Sequence, residues 1–307
     1  MTSPENMASR GPVIGALDVG SNTLKLTVAR LDADGGIEDL VSAAETVRLG
    51  AGLNRLGRLA DDRIEAAMIV LHEFAELARR QGAIRLVGVA TEATRQAANG
   101  LEFLQRVHDE TGWEVKIIDG DTEADLTFRG IAFRSDLSGR VVIADVGGGS
   151  TELIETSAGS VTAARSVAIG SGTLTDTFVE ADPPAATELA ACADAVMAGL
   201  ASIALPSGTS IRLIAVGGTA EYMAQIVGSG AIVETAEIEQ ALRTCQEITA
   251  EALATTLSIP LARARVLPAG IVIIYTLAAR LGSTEVEIAP SGIRTGLLLE
   301  TFAALDS

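Results

Sequence analysis

The chain has 307 residues, of which 48% are hydrophobic and 21% are charged, and this composition and length are typical of a folded protein with two domains. Its net charge of −17 argues against nucleic acid as a partner, because nucleic-acid binding needs an extended basic face. We find no apolar run of about 18 residues, so the sequence predicts no membrane span, and two widely separated cysteines favour the reducing cytoplasm.

The first half of the chain alternates predicted strands with predicted helices. Two apolar runs predict a hairpin over residues 13–28, with its turn at 18–23. Apolar residues at helical spacing predict a helix that begins at Asp61 or Asp62 and ends at Gly82. The other predictions in this half are a turn at 34–36, strands at 84–90 and 115–118, and a helix at 102–110. This order of elements indicates an α/β domain.

The second half of the chain begins with the same pattern. An apolar strand at 141–144 leads into a second glycine-rich turn and then into another strand. The other predictions are a helix from Asp182-Pro183-Pro184 through Met197, strands at 211–216 and 286–289, helical segments at 234–256 and 269–281, and a turn followed by a helix at 291–305. These elements indicate a second α/β domain.

The two glycine-rich turns are related by an internal repeat. The first is Asp18-Val19-Gly20-Ser21-Asn22-Thr23 and the second is Asp145-Val146-Gly147-Gly148-Gly149-Ser150-Thr151, so Asp18 and Asp145 lie 127 residues apart. A repeat of this length predicts two related domains rather than a solenoid, whose repeats have about 20–50 residues. We place the first domain at 1–125, joined by a C-terminal helix at 296–307, and the second at 126–295.

Both turns have the composition of a phosphate-binding loop. Glycine allows the backbone to approach a ligand closely, so that successive N–H groups can point at a phosphate oxygen, and hydroxyl side chains add donors. One such turn alone is as well explained as a tight hairpin, whereas two matching turns favour phosphate binding. Neither turn contains the Gly-Lys-Ser/Thr of a Walker loop. The candidate phosphate ligands are Ser21, Asn22, Thr23, Gly147, Gly148, Gly149 and Ser150.

Four acids are candidates for metal binding and catalysis. Asp18 and Asp145 stand at the start of the two turns, where a carboxylate can hold Mg²⁺ that also contacts phosphates, or can bond to the turn itself. Hydrolysis of a phosphoanhydride requires an oriented water and a group that takes its proton. Glu152, which follows the second turn, and Glu123 could serve in this way. Glu123 could equally belong to a solvated acidic face with Asp119, Asp121 and Asp125.

The sequence resembles the exopolyphosphatase and guanosine pentaphosphate phosphatase (Ppx/GppA) family over nearly its whole length. Both turns carry the resemblance, and the second is nearly identical to the family's Asp-Ile-Gly-Gly-Gly-Ser-Thr-Glu motif. Further similar segments are Arg48-Leu49-Gly50-Ala51-Gly52-Leu53, Ala90-Thr91-Glu92-Ala93-Thr94-Arg95-Gln96-Ala97-Ala98-Asn99, Gly217-Gly218-Thr219 and Ser291-Gly292-Ile293-Arg294-Thr295-Gly296. The resemblance implies an α/β protein with two ribonuclease-H-like domains of the actin, sugar-kinase and heat-shock ATPase superfamily, with a cleft between them.

The same resemblance implies a role for each matching residue. Glu123 would activate the attacking water, and Glu152 would position that water or the metal. Asp145, with Asp18 as a second candidate, would contact Mg²⁺, or Mn²⁺ in its place. The further phosphate contacts would come from Lys25, Arg95, Gly217, Gly218 and Thr219. Acidic departures from the family pattern at Asp119 and Asp125 weaken the basic environment and favour shorter substrates.

The sequence therefore predicts a Mg²⁺-dependent phosphoanhydride hydrolase that releases orthophosphate from inorganic polyphosphate, mainly from short chains. Two alternatives stay open. One is a phosphatase acting on guanosine pentaphosphate, with the base and ribose near Gly217-Gly218-Thr219. The other is a module that binds polyphosphate or an alarmone with little turnover. We expect a cytoplasmic protein without a membrane partner. We also expect a homodimer, because homodimers are the commonest oligomers of soluble proteins.

Overall fold

The computed structural model describes residues 11–32, 35–206, 211–289 and 292–305. The chain divides into two compact units: the first unit is Met1–Ile118 with Arg294–Ser307, and the second unit is Asp119–Ile293. The boundary predicted from the sequence at 125/126 thus falls inside the second unit. Asp34 of the turn expected at 34–36 and Ser291 of the last similar segment lie outside the described residues, as do residues 1–10.

The first unit is built on a five-stranded sheet. Its strands are β1 (Val13–Val19), β2 (Thr23–Leu31), β3 (Ile37–Thr46), β4 (Arg85–Ala90) and β5 (Glu114–Ile117), in the spatial order β3-β2-β1-β4-β5. Strands β1, β2 and β3 form an antiparallel meander, whereas β4 and β5 run parallel to β1. Helices α1 (Leu53–Leu56), α2 (Asp61–Arg80), α3 (Glu92–Gln96) and α4 (Gly100–Thr111) connect the strands.

The core of the first unit includes the single tryptophan of the chain. Trp113 is fully buried, and its indole N–H donates a hydrogen bond of 3.2 Å to the Leu71 carbonyl of α2. The apolar stripe of α2 that sequence periodicity predicted is buried, with Met68 and Leu71 among its members. The polar end group of the indole is therefore satisfied inside the core, as a buried tryptophan requires.

The second unit is built on a six-stranded sheet. In chain order its elements are α5 (Gly120–Ala132), β6 (Arg140–Val146), β7 (Thr151–Ser157), β8 (Ser160–Val167), α6 (Ser171–Phe178), α7 (Ala186–Leu200), β9 (Ile211–Val216), α8 (Gly218–Val227), β10 (Ile232–Glu234), α9 (Thr235–Glu247), α10 (Ala250–Leu257), α11 (Leu261–Leu281) and β11 (Glu285–Ala289). The strand order is β10-β11-β9-β6-β7-β8. The chain then returns to the first unit in α12 (Ile293–Ala303).

The two sheets share one topology. In the second unit β6, β7 and β8 form an antiparallel meander, and β9 and β11 continue the sheet in parallel from β6. The first unit has the same arrangement of a meander followed by parallel strands. This arrangement is the ribonuclease-H-like sheet, and it confirms the α/β fold class with two related domains. Strand β10 adds an antiparallel edge to the second unit alone.

Helix α5 determines where the second unit begins. It packs against β7 and β8, and the Asp119 side chain caps it by accepting a hydrogen bond of 2.8 Å from the Thr122 amide. This helix was not among the elements predicted from the sequence, in which four acids within seven residues, 119–125, allowed a solvated acidic face. The correction places Glu123 in the second unit rather than in the first.

Helix α11 is a core helix of the second unit. The helical segment predicted from the sequence begins only at residue 269. In the structure the helix begins at Leu261 and continues through Pro268. It is long and apolar enough to span a membrane by composition, with a mean hydropathy of 1.5, but 78% of that window is buried inside the protein. Burial explains its apolar character without a membrane.

Other sequence predictions also differ from the structure. The helix expected at 234–256 is two helices, α9 and α10, because Thr249 caps α10 by accepting a 3.2 Å hydrogen bond from the Ala252 amide. Strand β3 was missed because half of its residues are polar and none of its residues is buried. The elements β8, β10, α1, α3, α6 and α8 were missed as well. Both cysteines are buried free thiols, as expected.

The turn between β6 and β7, residues 147–150, is held by the start of α6. The Ser171 and Gly172 amides each donate a 2.9 Å hydrogen bond, to the Gly147 and Gly148 carbonyls respectively. A Cβ atom on Gly170 would lie only 2.4 Å from the Gly148 carbonyl group. Glycine at 170 is thus required for the close approach of α6 to the turn.

We predict that Gly170→Ala destabilises the second unit by about 1–3 kcal/mol, the usual cost of overpacking a close contact. Gly230→Ala is the matched control, because a Cβ there would meet no atom within 4 Å. Urea unfolding followed by circular dichroism measures both variants. Equal stabilities of the two variants would contradict the close packing of α6 on the turn.

Candidate active site

The turn at residues 147–150 leaves a group of backbone donors available. The Gly147 amide closes the turn with a 2.9 Å hydrogen bond to the Ser150 carbonyl, and the Gly147 and Gly148 carbonyls accept from α6. The amides of Gly148, Gly149 and Ser150 donate to no group within the part of the chain that the structure describes. Consecutive free N–H groups on a turn form a concavity that suits an anion.

Two acids face each other at the base of this turn. Asp145 on β6 is directly opposite Glu152 on β7. Directly opposite residues of an antiparallel pair project from the same face of the sheet, with Cβ atoms about 4.5–5.5 Å apart. Glu152 is only 1% exposed, and its Oε1 accepts a 2.7 Å hydrogen bond from the Ser166 hydroxyl of β8. Two carboxyl groups on one face at this spacing are a pair of oxygen ligands that a cation could share.

Glu123 is buried on the neighbouring helix. It lies in the first turn of α5, is 8% exposed, and has Gly120 one helical turn before it. A Cβ on Gly120 would lie 2.5 Å from the Ser166 Cβ, so this face of α5 contacts β8. The interpretation of Glu123 as part of a solvated face is therefore wrong. That interpretation does hold for Asp121, which is exposed, and for Asp125, which forms a 2.7 Å ion pair with Arg129 at the surface.

The turn of the first unit has the same framework with different chemistry. Asp18 on β1 is opposite Lys25 on β2, and the Lys25 Nζ lies 3.9 Å from the Asp18 Oδ2. By the 127-residue repeat, Lys25 stands where the second unit has Glu152. Asp18 therefore has a cation within the chain, and the pair of acids that suits a metal ion occurs in the second unit.

The other predicted ligands of the first turn have varied surroundings. Asn22 is 5% exposed, and its amide Nδ2 has no hydrogen-bond partner among the described residues. A buried amide donor of this kind needs an acceptor, which an anion would supply. The Ser21 hydroxyl instead accepts a 3.1 Å hydrogen bond from the Ala93 amide, and the Thr23 hydroxyl lies 3.4 Å from that of Thr46.

Arg95, a predicted phosphate contact, and two further arginines are engaged by groups within the protein. Arg95 donates a 2.5 Å hydrogen bond to the Ile118 carbonyl and pairs with Glu92. Arg165 pairs with Glu155 at 2.7 Å. Arg294 donates 2.7 Å hydrogen bonds to the Leu26 carbonyl and to the Thr27 hydroxyl.

Sequence reasoning missed an arginine beside the third predicted loop, Gly217-Gly218-Thr219. Gly217 adopts φ 87°, which favours glycine, and α8 begins at the next residue. Thr219 is fully buried, and its hydroxyl accepts a 3.1 Å hydrogen bond from Arg263 of α11. The helical segment predicted at 269–281 leaves Arg263 outside any predicted element, so no signal distinguished it from the other arginines.

Arg263 is a buried cation without an ion pair among the described residues. It is 8% exposed, and its guanidinium lies 5.5 Å from the centre of the Tyr222 ring. Burial lowers the pKa of this guanidinium from its ordinary value, because removal from water disfavours the charged form. A buried charge of this kind is costly unless an anion compensates it.

Gly270 packs against two residues, one that bonds to Arg263 and one that bonds to the turn at residues 147–150. A Cβ on Gly270 would lie 2.7 Å from the Thr219 side chain and 3.1 Å from the Ser171 Cβ. Ser171 in turn bonds to the Gly147 carbonyl through both its amide and its hydroxyl. The free amides, the acid pair and the Arg263–Thr219 pair thus belong to one region of the second unit.

The acid pair fits a magnesium ion that shares its ligands with a substrate. No group of three or more His, Cys, Asp or Glu residues suited to a metal occurs within the described residues. Mg²⁺ usually keeps several waters and is held by one or two carboxylates together with substrate phosphates. Asp145 and Glu152 provide the carboxylates of such a site, and phosphate oxygens would complete it.

Comparison with known proteins agrees with this chemistry. The family model for the Ppx/GppA phosphatase family matches residues 27–304. Exopolyphosphatase 1 of Mycobacterium tuberculosis is 28% identical over 93% of this chain and 87% of its own length. A guanosine-5'-triphosphate,3'-diphosphate pyrophosphatase of Vibrio atlanticus is 30% identical over 94% of this chain and 59% of its own length.

Solved structures show the same relationship. The Ppx/GppA family member of Aquifex aeolicus has a TM-score of 0.77 at 28% identity, over 96% of this chain and 99% of that one. An exopolyphosphatase from Cytophaga hutchinsonii has a TM-score of 0.86 at 20% identity, over 95% of this chain and 98% of that one, and so shares the fold. The chain therefore belongs to the Ppx/GppA phosphatase family, and it is an enzyme of the phosphoanhydride hydrolase class.

Proposed function

We propose that this protein is a Mg²⁺-dependent exopolyphosphatase that releases orthophosphate from the ends of short inorganic polyphosphate chains. The observation that carries the proposal is the Asp145–Glu152 pair at the base of a turn with three free amides. An acid pair attracts the metal, the amides attract the phosphate, and buried Glu123 supplies a base nearby. The name of the mycobacterial relative, Exopolyphosphatase 1, supports polyphosphate as the substrate.

The reaction would proceed by displacement at the terminal phosphorus. The amides of the turn and the Arg263 guanidinium hold the phosphoryl oxygens, and they stabilise the charge that these oxygens carry in the transition state. Mg²⁺, when bound, neutralises phosphate charge and orients the chain. The oxygen of a water attacks the phosphorus, and Glu123 takes the proton that this water loses. The bond to the bridging oxygen breaks, its electron pair stays with the shortened chain, and orthophosphate leaves.

The charges of the described residues favour short chains. Lys25, Arg95, Arg165 and Arg294 are already engaged by groups within the protein, and the net charge of the chain is −17. A long polyanion would meet mainly repulsion beyond the few phosphates at the site. The cytoplasmic location and the homodimer expected from the sequence stay predictions.

Guanosine pentaphosphate is the second candidate substrate. The observation in its favour is the 30% identity to the Vibrio atlanticus enzyme named for a guanosine substrate. The same amides and acids would serve, because the bond that is broken is also a phosphoanhydride. Competition between tripolyphosphate and guanosine pentaphosphate in one assay distinguishes the two, since the preferred substrate suppresses turnover of the other.

We expect Glu123→Gln to lower kcat for tripolyphosphate by about 100-fold or more, the usual contribution of a general base. Gln retains the size of Glu but cannot take the proton from water. Asp121→Asn is the matched control, because Asp121 is exposed on the same helix. Orthophosphate release with Mg²⁺ measures both rates. If Glu123→Gln were as active as Asp121→Asn, Glu123 would not be the base.

Arg263→Met is expected to weaken substrate binding while keeping the fold. Loss of a charge-assisted hydrogen bond costs about 1.5–3 kcal/mol, which corresponds to about a 10–100-fold higher KM. The thermal stability should stay equal or rise, because the change removes a buried cation. The exposed Arg265 of the same helix provides the control Arg265→Met. A loss of stability with unchanged KM would show that Arg263 is a structural residue.

A further inference from the structure

Ser166 contacts both elements that carry the catalytic acids. It lies on β8 directly opposite Glu152, and its hydroxyl donates the 2.7 Å hydrogen bond to Glu152 Oε1. A hydrogen bond from a fixed donor restricts the carboxylate to one orientation. The strand therefore determines the position of the Glu152 oxygen that accepts this bond.

The same side chain also touches the helix that carries Glu123. A Cβ on Gly120 would lie 2.5 Å from the Ser166 Cβ and 3.2 Å from its Oγ. Only a residue without a side chain allows the first turn of α5 to approach this closely. Glu123 follows three residues later, on the same face of the helix. The position of Glu123 thus depends on how α5 rests against Ser166.

We propose that Ser166 is a positioning residue for hydrolysis, which orients the Glu152 carboxylate and seats the first turn of α5 so that Glu123 and Glu152 keep one mutual geometry. This inference rests on the proposed function, because it assigns a purpose to the two acids. Ser166 takes no part in bond making itself. It acts through two groups that the reaction needs.

The exposure of Ser166 distinguishes this role from a structural one. Ser166 is exposed on its strand, whereas Glu152 is 1% exposed. Removal of one hydroxyl from an exposed strand position usually changes stability little. Loss of a hydrogen bond that orients a metal-site or catalytic carboxylate, in contrast, typically costs about 10–100-fold in activity.

A double-mutant cycle tests the proposal. Ser166→Ala should lower kcat for tripolyphosphate about 10–100-fold, with KM and melting temperature nearly unchanged. Ser166→Cys, which keeps an unbranched side chain at the contact with Gly120 but donates only weakly, should lose most of the rate that Ser166→Ala loses. In a Glu152→Gln background, Ser166→Ala should lower the rate by far less than it does alone, because the two residues act as one unit. Ser160→Ala makes the same change at the exposed opposite end of β8 and serves as the control.

The outcomes separate this inference from the proposed function. Wild-type protein that fails to hydrolyse tripolyphosphate contradicts the function. Active wild-type protein whose rate Ser166→Ala leaves unchanged, or lowers equally in both backgrounds, overturns the role of Ser166. A crystal structure of Ser166→Ala gives a second result that needs no activity. We expect the Glu152 carboxylate to rotate in it, and an unmoved carboxylate would overturn the proposal.

Discussion

Repulsion between two carboxylates, Asp145 and Glu152, is the constraint on which the site depends. Directly opposite like charges destabilise a sheet unless something compensates them. The structure surrounds them with groups that fit this need: the Ser166 hydroxyl holds one carboxylate, and free amides next to the pair attract phosphate. A metal ion between the acids and a phosphate would satisfy all of these groups at once. Substrate and metal are therefore expected to bind together.

The two units show how one framework can carry different chemistry. Each has a hairpin with a glycine-rich turn, and in each turn a Cβ on the first glycine, Gly20 or Gly147, would lie 2.9 Å from a carbonyl oxygen three residues later. The residue opposite the aspartate differs, being Lys25 in one unit and Glu152 in the other. A lysine supplies its own charge to the aspartate, whereas a glutamate forms a pair of acids at which we propose that Mg²⁺ binds. Both acids proposed for hydrolysis, Glu123 and Glu152, belong to the second unit.

Much of the fold, and one acid of the site, could be predicted from the sequence because these features depend on local sequence patterns. Period-two alternation predicted the first hairpin, apolar runs around the second turn predicted the second, and the spacing of the repeat predicted two related domains. Glu152 was found because it adjoins a turn whose glycines are diagnostic of close backbone approach. These features need only neighbouring residues, so no knowledge of tertiary packing was required.

The features that were missed depend on tertiary packing. The acids around Glu123 allowed a solvated face, yet contact between Gly120 and Ser166 buries one face of α5 and leaves Asp121 exposed. Arg263 was missed because the predicted helical segment began at residue 269, whereas α11 begins at Leu261. In both cases packing between residues distant in sequence decides the outcome.

The most direct test of the account is a crystal structure of the Glu123→Gln variant with Mg²⁺ and tripolyphosphate, in which slow turnover preserves the substrate. The account predicts a metal about 2.0–2.1 Å from an oxygen of Asp145 or Glu152. It also predicts phosphate oxygens about 3 Å from amides of the turn at residues 147–150. A metal bound at Asp18 instead, or a phosphate chain bound away from this turn, would contradict it.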